Sequence, residues 1–577
     1  MRDNDTEDSD GTINTDDLDG PVVDRRTTLS LLGAVGLGSL AGCTGGGGDD
    51  GGGGTTTTTA DETATTTAPP EQDVSGGRLT AGWNIGSIET LDPPKISVGQ
   101  YFQVAANIFN GLVWLAPDLT VRGDLAKDWT VENDGRTFTF DLREGVTFHN
   151  GVEFTAEDVQ YTIDRTIAKE TPAAAKLSTL KRPIEGTGVK IVDDYTVQLN
   201  FEKPMAPALI YLTRGPGRAA TIVNKEAIEE MGPKQYALTP VGTGPFEVAS
   251  HEVGSELKLD ANDDYFKTDD QGRQLPYLDG VDIKPIPEAA TLVNALRSGG
   301  IDFANLVPLQ NVQQVEQATS ITKLTEPGIN WLGLAMNERR KPFDSRKARR
   351  GIAKVIDRDA YVRTAYFGNA LASTGPINKG TRWVWRGEHG DDGVGGPKKA
   401  PDQNYAPEEG KRLIEEAGAS GAEFAILTTG AGSSLREAKA IQQQLDGLKG
   451  FSVSIDQVTN ATYWDRYAKL DYDVTVSGSV GDPDPDQSLW NFYRKKGPWN
   501  WVDYEDDRVH QLLAEQRRTL DREQRKRVLW EIEDLLIADA PHVYLAHRDD
   551  IAAKRPNVKG FVHIPFMRYF QNVYLEQ

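Results

Sequence analysis

The chain has 577 residues, with 63 Lys+Arg against 86 Asp+Glu and a net charge of −23. Hydrophobic residues make up 38% and aromatics 8%, enough for several cores, so the bulk of the chain folds. The acid excess argues against a nucleic-acid binder, which needs a basic face to displace phosphate counterions, and a single cysteine excludes a disulfide framework or a cysteine-rich metal centre. A dense acidic surface also suits high-salt surroundings, where carboxylates keep the surface hydrated.

Residues 1–24 are acidic, lack apolar periodicity and read as disordered. Arg25 and Arg26 follow, then an apolar run from Leu29 to Ala41. That run is too short to span a bilayer, which takes about 20 apolar residues, but it suits the apolar part of a signal peptide. The Arg pair resembles a twin-arginine export signal, with Thr28 where such signals often carry Phe. Leu40-Ala41-Gly42-Cys43 matches a lipobox, in which the cysteine takes a lipid and becomes the new N-terminus. The sequence thus predicts a signal peptide over 1–42 and a lipid anchor on Cys43. Three basic and nine acidic residues precede Cys43; removing that −6 from −23 leaves −17 for the mature chain. Residues 43–75 are nearly all Gly, Thr, Asp, Ala and Pro and read as a flexible tether with a reach of roughly 30 Å.

From Arg78 onward strand and helix patterns alternate. Trp129–Val131, the turn Asn133-Asp134-Gly135 and Thr137–Leu142 predict a hairpin with Phe138, Phe140 and Leu142 on one face. Thr155 caps a helix, with Asp158 reaching back as an acidic capping box. Val189–Phe201 reads as a second hairpin around Asp193-Asp194. Pro287–Ser298 is a helix stopped by Gly299-Gly300, and Pro407–Ala417 another, with Gly418 just beyond. Asp521 caps a longer helix whose Val528, Leu529, Ile532, Leu535 and Leu536 form one stripe ending at Pro541. Gly387–Pro401 reads as a surface loop. The mixture indicates α/β units.

No P-loop, Gly-x-Ser-x-Gly elbow or His-Glu-x-x-His motif is present. His542 and His547 are five apart, off a common helix face, and read as structural; His149 reads likewise, at a hairpin end. No metal site, cofactor or catalytic residue is assigned.

A set of segments resembles the peptide/nickel family of extracellular solute-binding proteins, the dipeptide- and oligopeptide-binding components of ABC importers. They are Leu91-Asp92-Pro93, Phe109-Asn110-Gly111-Leu112, and a long block running from Leu125-Ala126-Lys127-Asp128-Trp129 through Asp134–Arg143 and Val146–Gly151 to Thr155–Val159. Gly242-Thr243-Gly244-Pro245-Phe246 follows, then Asn337, Pro342-Phe343-Asp344, Ile356-Asp357-Arg358 and Ala540-Pro541. The matches keep the family's order over 77–577. The resemblance implies a two-lobed α/β fold of the periplasmic-binding-protein type II, with an extra domain inserted in the first lobe. On this reading lobe I comprises 76–115, 240–330 and 540–577, the insert 116–239 and lobe II 331–539.

By the same resemblance, Ser97, Gly99 and Gln100 line the cleft from the first lobe, and Trp464, within Tyr463-Trp464-Asp465-Arg466-Tyr467, faces the ligand from the second. Gly99 permits a close backbone approach. Peptide-binding relatives carry an Asp, shortly before an Asp-Pro or Glu-Pro pair, that pairs with the peptide's α-ammonium. Here Asp482 precedes Asp484-Pro485 by two residues instead of three. Either Asp482 keeps that role through a shifted loop, or the ligand is not a peptide. The implied protein is a non-enzymatic, monomeric solute receptor on the outer face of the cytoplasmic membrane. Its partners are a small-molecule or peptide ligand, ABC permease subunits with their ATPases, and the membrane through Cys43, with no nucleic acid. A sugar, opine or metal chelate as solute is the alternative within that role; a cell-surface hydrolase or a structural surface protein lies outside it.

Overall fold

The computed structural model describes residues 76–168, 171, 173–177, 180, 188–215, 219–386, 403–430 and 432–576. Arg25, Arg26, Cys43, the tether and the expected loop at 387–401 lie outside them. Among the described residues no helix is long and apolar enough to cross a membrane.

Both expected hairpins form. The strands Ala126–Glu132 and Thr137–Leu142 pair antiparallel across Asn133, Asp134 and Gly135, whose φ angles of 52°, 56° and 80° are all left-handed. Short polar side chains and glycine tolerate that conformation best, which is why the turn falls there. Phe138, Phe140 and Leu142 are buried together. Val189–Asp193 and Thr196–Asn200 complete a four-stranded sheet, covered by the helix Ala156–Ala168 through Val159 and Ile163. At the start of that helix the Asp158 carboxylate accepts from the Thr155 N–H at 3.0 Å, and the Thr155 hydroxyl from the Glu157 N–H at 3.3 Å. Asp521 caps the helix Arg522–Asp539, accepting from the Gln524 N–H at 2.7 Å. Val528, Leu529, Ile532 and Leu536 of its stripe are buried, Leu535 partly so.

The largest sheet has twelve strands and joins two halves of the molecule. In the first half Arg78–Trp83 lies parallel to Gly280–Pro285 and Phe303–Asn305. In the second, Glu423–Thr429 lies parallel to Ser452–Val458 and Val474–Ser479, and Trp331–Met336 runs antiparallel to Val474–Ser479. One 13-residue strand, His542–Lys554, belongs to both. Its residues 542–546 pair with Trp331–Met336, and 549–554 pair with Thr322–Pro327. The strand at the expected start of the last lobe I segment is therefore shared, roughly 43 Å of continuous backbone at about 3.3 Å per residue. The chain crosses between halves a second time at Gly328–Asn330. There the Asn330 amide donates to the Arg548 carbonyl at 2.9 Å and accepts from the Arg548 N–H at 2.8 Å, so a side chain supplies the pairing where the backbone ladder breaks.

Candidate functional site

The segment Gly478–Asp486 leaves the C-terminal end of the strand Val474–Ser479, where open α/β sheets bind ligands. It is pressed against the crossover. A Cβ on Gly478 would lie 2.0 Å from the Trp331 carbonyl oxygen, and one on Gly481 only 1.5 Å from that of Ile329. Gly481 also has φ 84°, so glycine is required twice over. Val480, 43% exposed, projects from this turn.

Three carboxylates follow, each facing a basic side chain. Asp482 meets the Lys176 ammonium at 3.4 Å. Asp484 accepts two hydrogen bonds from Arg525, at 2.6 and 2.7 Å. Asp486 accepts from Arg517 at 2.7 and 2.8 Å, and also from the Tyr211 hydroxyl and the Gln516 amide. Burial alone would raise the Asp486 pKa, but the charges of Arg517 and Arg525 and the donated hydrogen bonds hold it below the usual carboxylate value. Burial and that same carboxylate push the Tyr211 hydroxyl well above 10, so it stays a donor. Trp383 closes the back of the segment, donating from Nε1 to the Pro483 carbonyl at 3.3 Å.

Lys176 and Tyr211 belong to the part of the chain that carries the four-stranded sheet, whereas Asp482 and Asp486 lie in the second half. The two regions are thus in direct contact at this segment. The Ala206 N–H adds a bond to the Arg517 carbonyl at 2.8 Å. No motif or spacing in the sequence marks Lys176, Tyr211, Arg517 or Arg525 as part of this segment's surroundings. Lys176 and Tyr211 lie more than 250 residues before Asp482, and Arg517 and Arg525 more than 30 after it, at no spacing that marks them as its neighbours.

Ser97, Gly99 and Gln100 lie, partly exposed, at the start of the helix Gly99–Ala105 in the first half. A Cβ on Gly99 would come 2.9 Å from the Phe566 ring, so the close approach this glycine permits is to Phe566. Phe566 is in turn held by its N–H donating to Asp550 of the shared strand at 2.6 Å. Asp550 also pairs with Arg568 at 2.5 Å and His563 at 3.3 Å, and Arg568 and His563 overcome burial to hold its carboxyl far below the usual range.

Trp464 sits on the helix Asn460–Ala468 inside an aromatic cluster with Tyr463, Tyr467 and Trp501. It is 5% exposed, and its indole N–H donates to Asn460 at 3.2 Å. Tyr463 and Tyr467, by contrast, bond Thr475 and Ser477 of the strand that leads to Asp482, at 3.0 and 2.5 Å. His149 is locked by backbone: the Gly242 N–H donates to Nδ1 at 3.3 Å, which leaves Nε2–H to donate to the Gly244 carbonyl at 3.1 Å. Burial lowers its pKa to about 4, so it is neutral near pH 7.

A family model described as bacterial extracellular solute-binding proteins, family 5 (middle), matches residues 120–500. The chain belongs to this family. Among curated proteins it is similar to the probable D,D-dipeptide-binding periplasmic protein DdpA of Escherichia coli K12, 27% identical over 84% of this chain and 91% of that protein. The glutathione-binding protein GsiB of Salmonella typhimurium is 26% identical over 82% and 90%. Among solved structures, the periplasmic binding protein DppA of Helicobacter pylori, in complex with the peptide STSA, superposes with a TM-score of 0.71 at 26% identity, over 88% of this chain and 99% of that one. The binding protein AgaA of A. tumefaciens R10, in complex with agropinic acid, gives 0.70 at 27% identity, over 87% and 99%. The fold is the two-lobed type II architecture expected from the resemblance, and the chain is a solute-binding protein of the ABC-importer class in a peptide-binding family.

Proposed function

We propose that the protein captures a di- or oligopeptide between its two halves and delivers it to the permease subunits of an ABC importer. The observation that carries this reading is the segment Gly478–Gln487. It is fixed to the interlobe crossover at one end and in contact with the opposite unit at the other, so a solute bound beside it touches both halves. Ser97, Gly99 and Gln100 form the facing wall. The aromatic cluster around Trp464 and Tyr467 supports the strand that presents Asp482. Closure on a solute is driven only as far as the closed form binds it more tightly than the open one, and the two crossings supply the hinge. The protein acts as a monomer and turns nothing over.

Peptides as ligands are supported by DdpA, GsiB and the DppA complex. A non-peptide solute is favoured by one observation, the equal likeness to AgaA bound to agropinic acid. Cys43 carries the lipid, Arg25 and Arg26 direct export, and the Gly/Thr-rich stretch lifts the receptor off the outer face of the membrane. Native mass spectrometry of the purified protein tests the ligand class. A peptide mass bound one per chain supports the reading; a sugar or opine in its place leaves the transport role and removes the peptide.

A further inference from the structure

Lys176 reaches Asp482 across more than 300 residues of sequence and from the opposite unit. Its side chain is almost wholly buried. The ammonium donates to the Gln487 Oε1 at 2.7 Å and lies over the Tyr211 ring at 4.9 Å from the centroid. The Tyr211 hydroxyl is tied to Asp486, and Asp486 to Arg517. Lys176 therefore has a carboxylate, an amide oxygen and an aromatic face around its charge, the set of groups that receives a primary ammonium in a site shielded from water. Among the described residues each carboxylate of the segment faces a basic side chain: Asp482 faces Lys176, Asp484 Arg525 and Asp486 Arg517. A second ammonium arriving at Asp482 would face Lys176 as a like charge in the same small volume.

We propose that Lys176 is the specificity-determining residue of the cleft. Its ammonium fills in cis the place that a peptide's free ammonium would take at Asp482, so the solute bound there carries an uncharged end, such as an N-acylated peptide. This rests on the peptide reading above. Lys176 discriminates by occupying the carboxylate; a free-amine solute must displace it from Asp482, Gln487 and Tyr211 together.

The test is a tripeptide library in free-amine and N-acetylated forms, titrated against the parent, Lys176→Ala and Lys176→Arg, with bound species counted by native mass spectrometry. The parent should bind the acetylated form at least ten-fold more tightly. Lys176→Ala should reverse that order by gaining the free-amine form, and Lys176→Arg should keep the parent's order. A gain of binding cannot arise from misfolding. A parent that prefers the free amine, or an Ala variant with an unchanged preference, overturns the proposal. If neither form binds any of the three, the peptide reading fails, and n-butylammonium chloride decides the role of Lys176 alone. It should raise the Tm of Lys176→Ala above that in equimolar KCl, and leave the parent and the Lys176→Ala/Asp482→Asn variant unmoved. No shift in Lys176→Ala overturns the proposal.

Discussion

Arg525 grips Asp484 through two parallel hydrogen bonds of 2.6 and 2.7 Å, both side chains being buried. The pair joins the helix Arg522–Asp539 to the turn that carries Asp482. Arg525→Met removes the cation and leaves the carboxylate buried, at a cost of about 3–5 kcal/mol. Urea unfolding should show that loss, and Arg525→Met with Asp484→Asn together should lose less than the two single changes added. A loss under about 1 kcal/mol for Arg525→Met would place the pair among surface-like contacts.

Gly481 allows the turn to pass the crossover. Gly481→Ala introduces a methyl group 1.5 Å from the Ile329 carbonyl oxygen at φ 84°. The left-handed conformation alone costs about 1–2 kcal/mol for a residue with a Cβ, and relieving the clash moves either the turn or the hinge. Thermal unfolding should drop, and solute binding should weaken beyond what the lost stability explains. Unchanged affinity would separate the turn from the binding site.

His542 is buried among Trp331, Phe492, Tyr493 and Tyr544, and burial lowers its pKa from 6.5 to about 3. The unfolded chain therefore takes up a proton first as pH falls. Stability from this group is fully present above 6.5 and is lost toward pH 3, at about 1.4 kcal/mol per pH unit on the full slope. Glu338 works in the opposite sense. Burial, with Asp539 and Asp503 nearby, raises it to about 7 against the pull of Arg349. Its contribution is present below about 4.5 and is lost as pH rises through 7. The parent profile mixes the two, so the variants separate them. His542→Phe should gain on the parent by roughly 2 kcal/mol between pH 7 and pH 5, and Glu338→Gln should gain on it as pH rises from 5 to 8. Parallel profiles in chemical denaturation would contradict the buried-neutral assignments.

The net charge of −17 expected for the mature chain puts self-repulsion on the protein. Screening shortens the Debye length from about 10 Å at 0.1 M to about 3 Å at 1 M salt. The Tm should climb with KCl across that range, and a flat profile would contradict a surface adapted to high salt.

Local signals in the sequence marked the hairpins and capped helices well, because Asn133-Asp134-Gly135, Thr155 with Asp158, and Asp521 act within a few residues of themselves. The shared strand His542–Lys554 was harder to read. Its polar stretch Arg548-Asp549-Asp550 looks like a strand end, yet Asp550 is neutralised by Arg568, a partner outside the strand. In the site, the turn carrying Asp482 stood out through its repeated Asp and Pro. The cation facing Asp482 comes from a single helical turn, Ala174–Leu177, whose composition gives no hint of the contact. Gly99 signalled a close approach, but a glycine does not say what approaches, and the neighbour is the Phe566 ring.

The most direct test of the account is calorimetric titration of the unloaded protein with the tightest member of the tripeptide library, followed by mass analysis of the recovered ligand. The account predicts one peptide per chain, recovered chemically unchanged. Failure of every peptide to bind, or recovery of cleaved products, would contradict a peptide receptor that closes on its solute without turning it over.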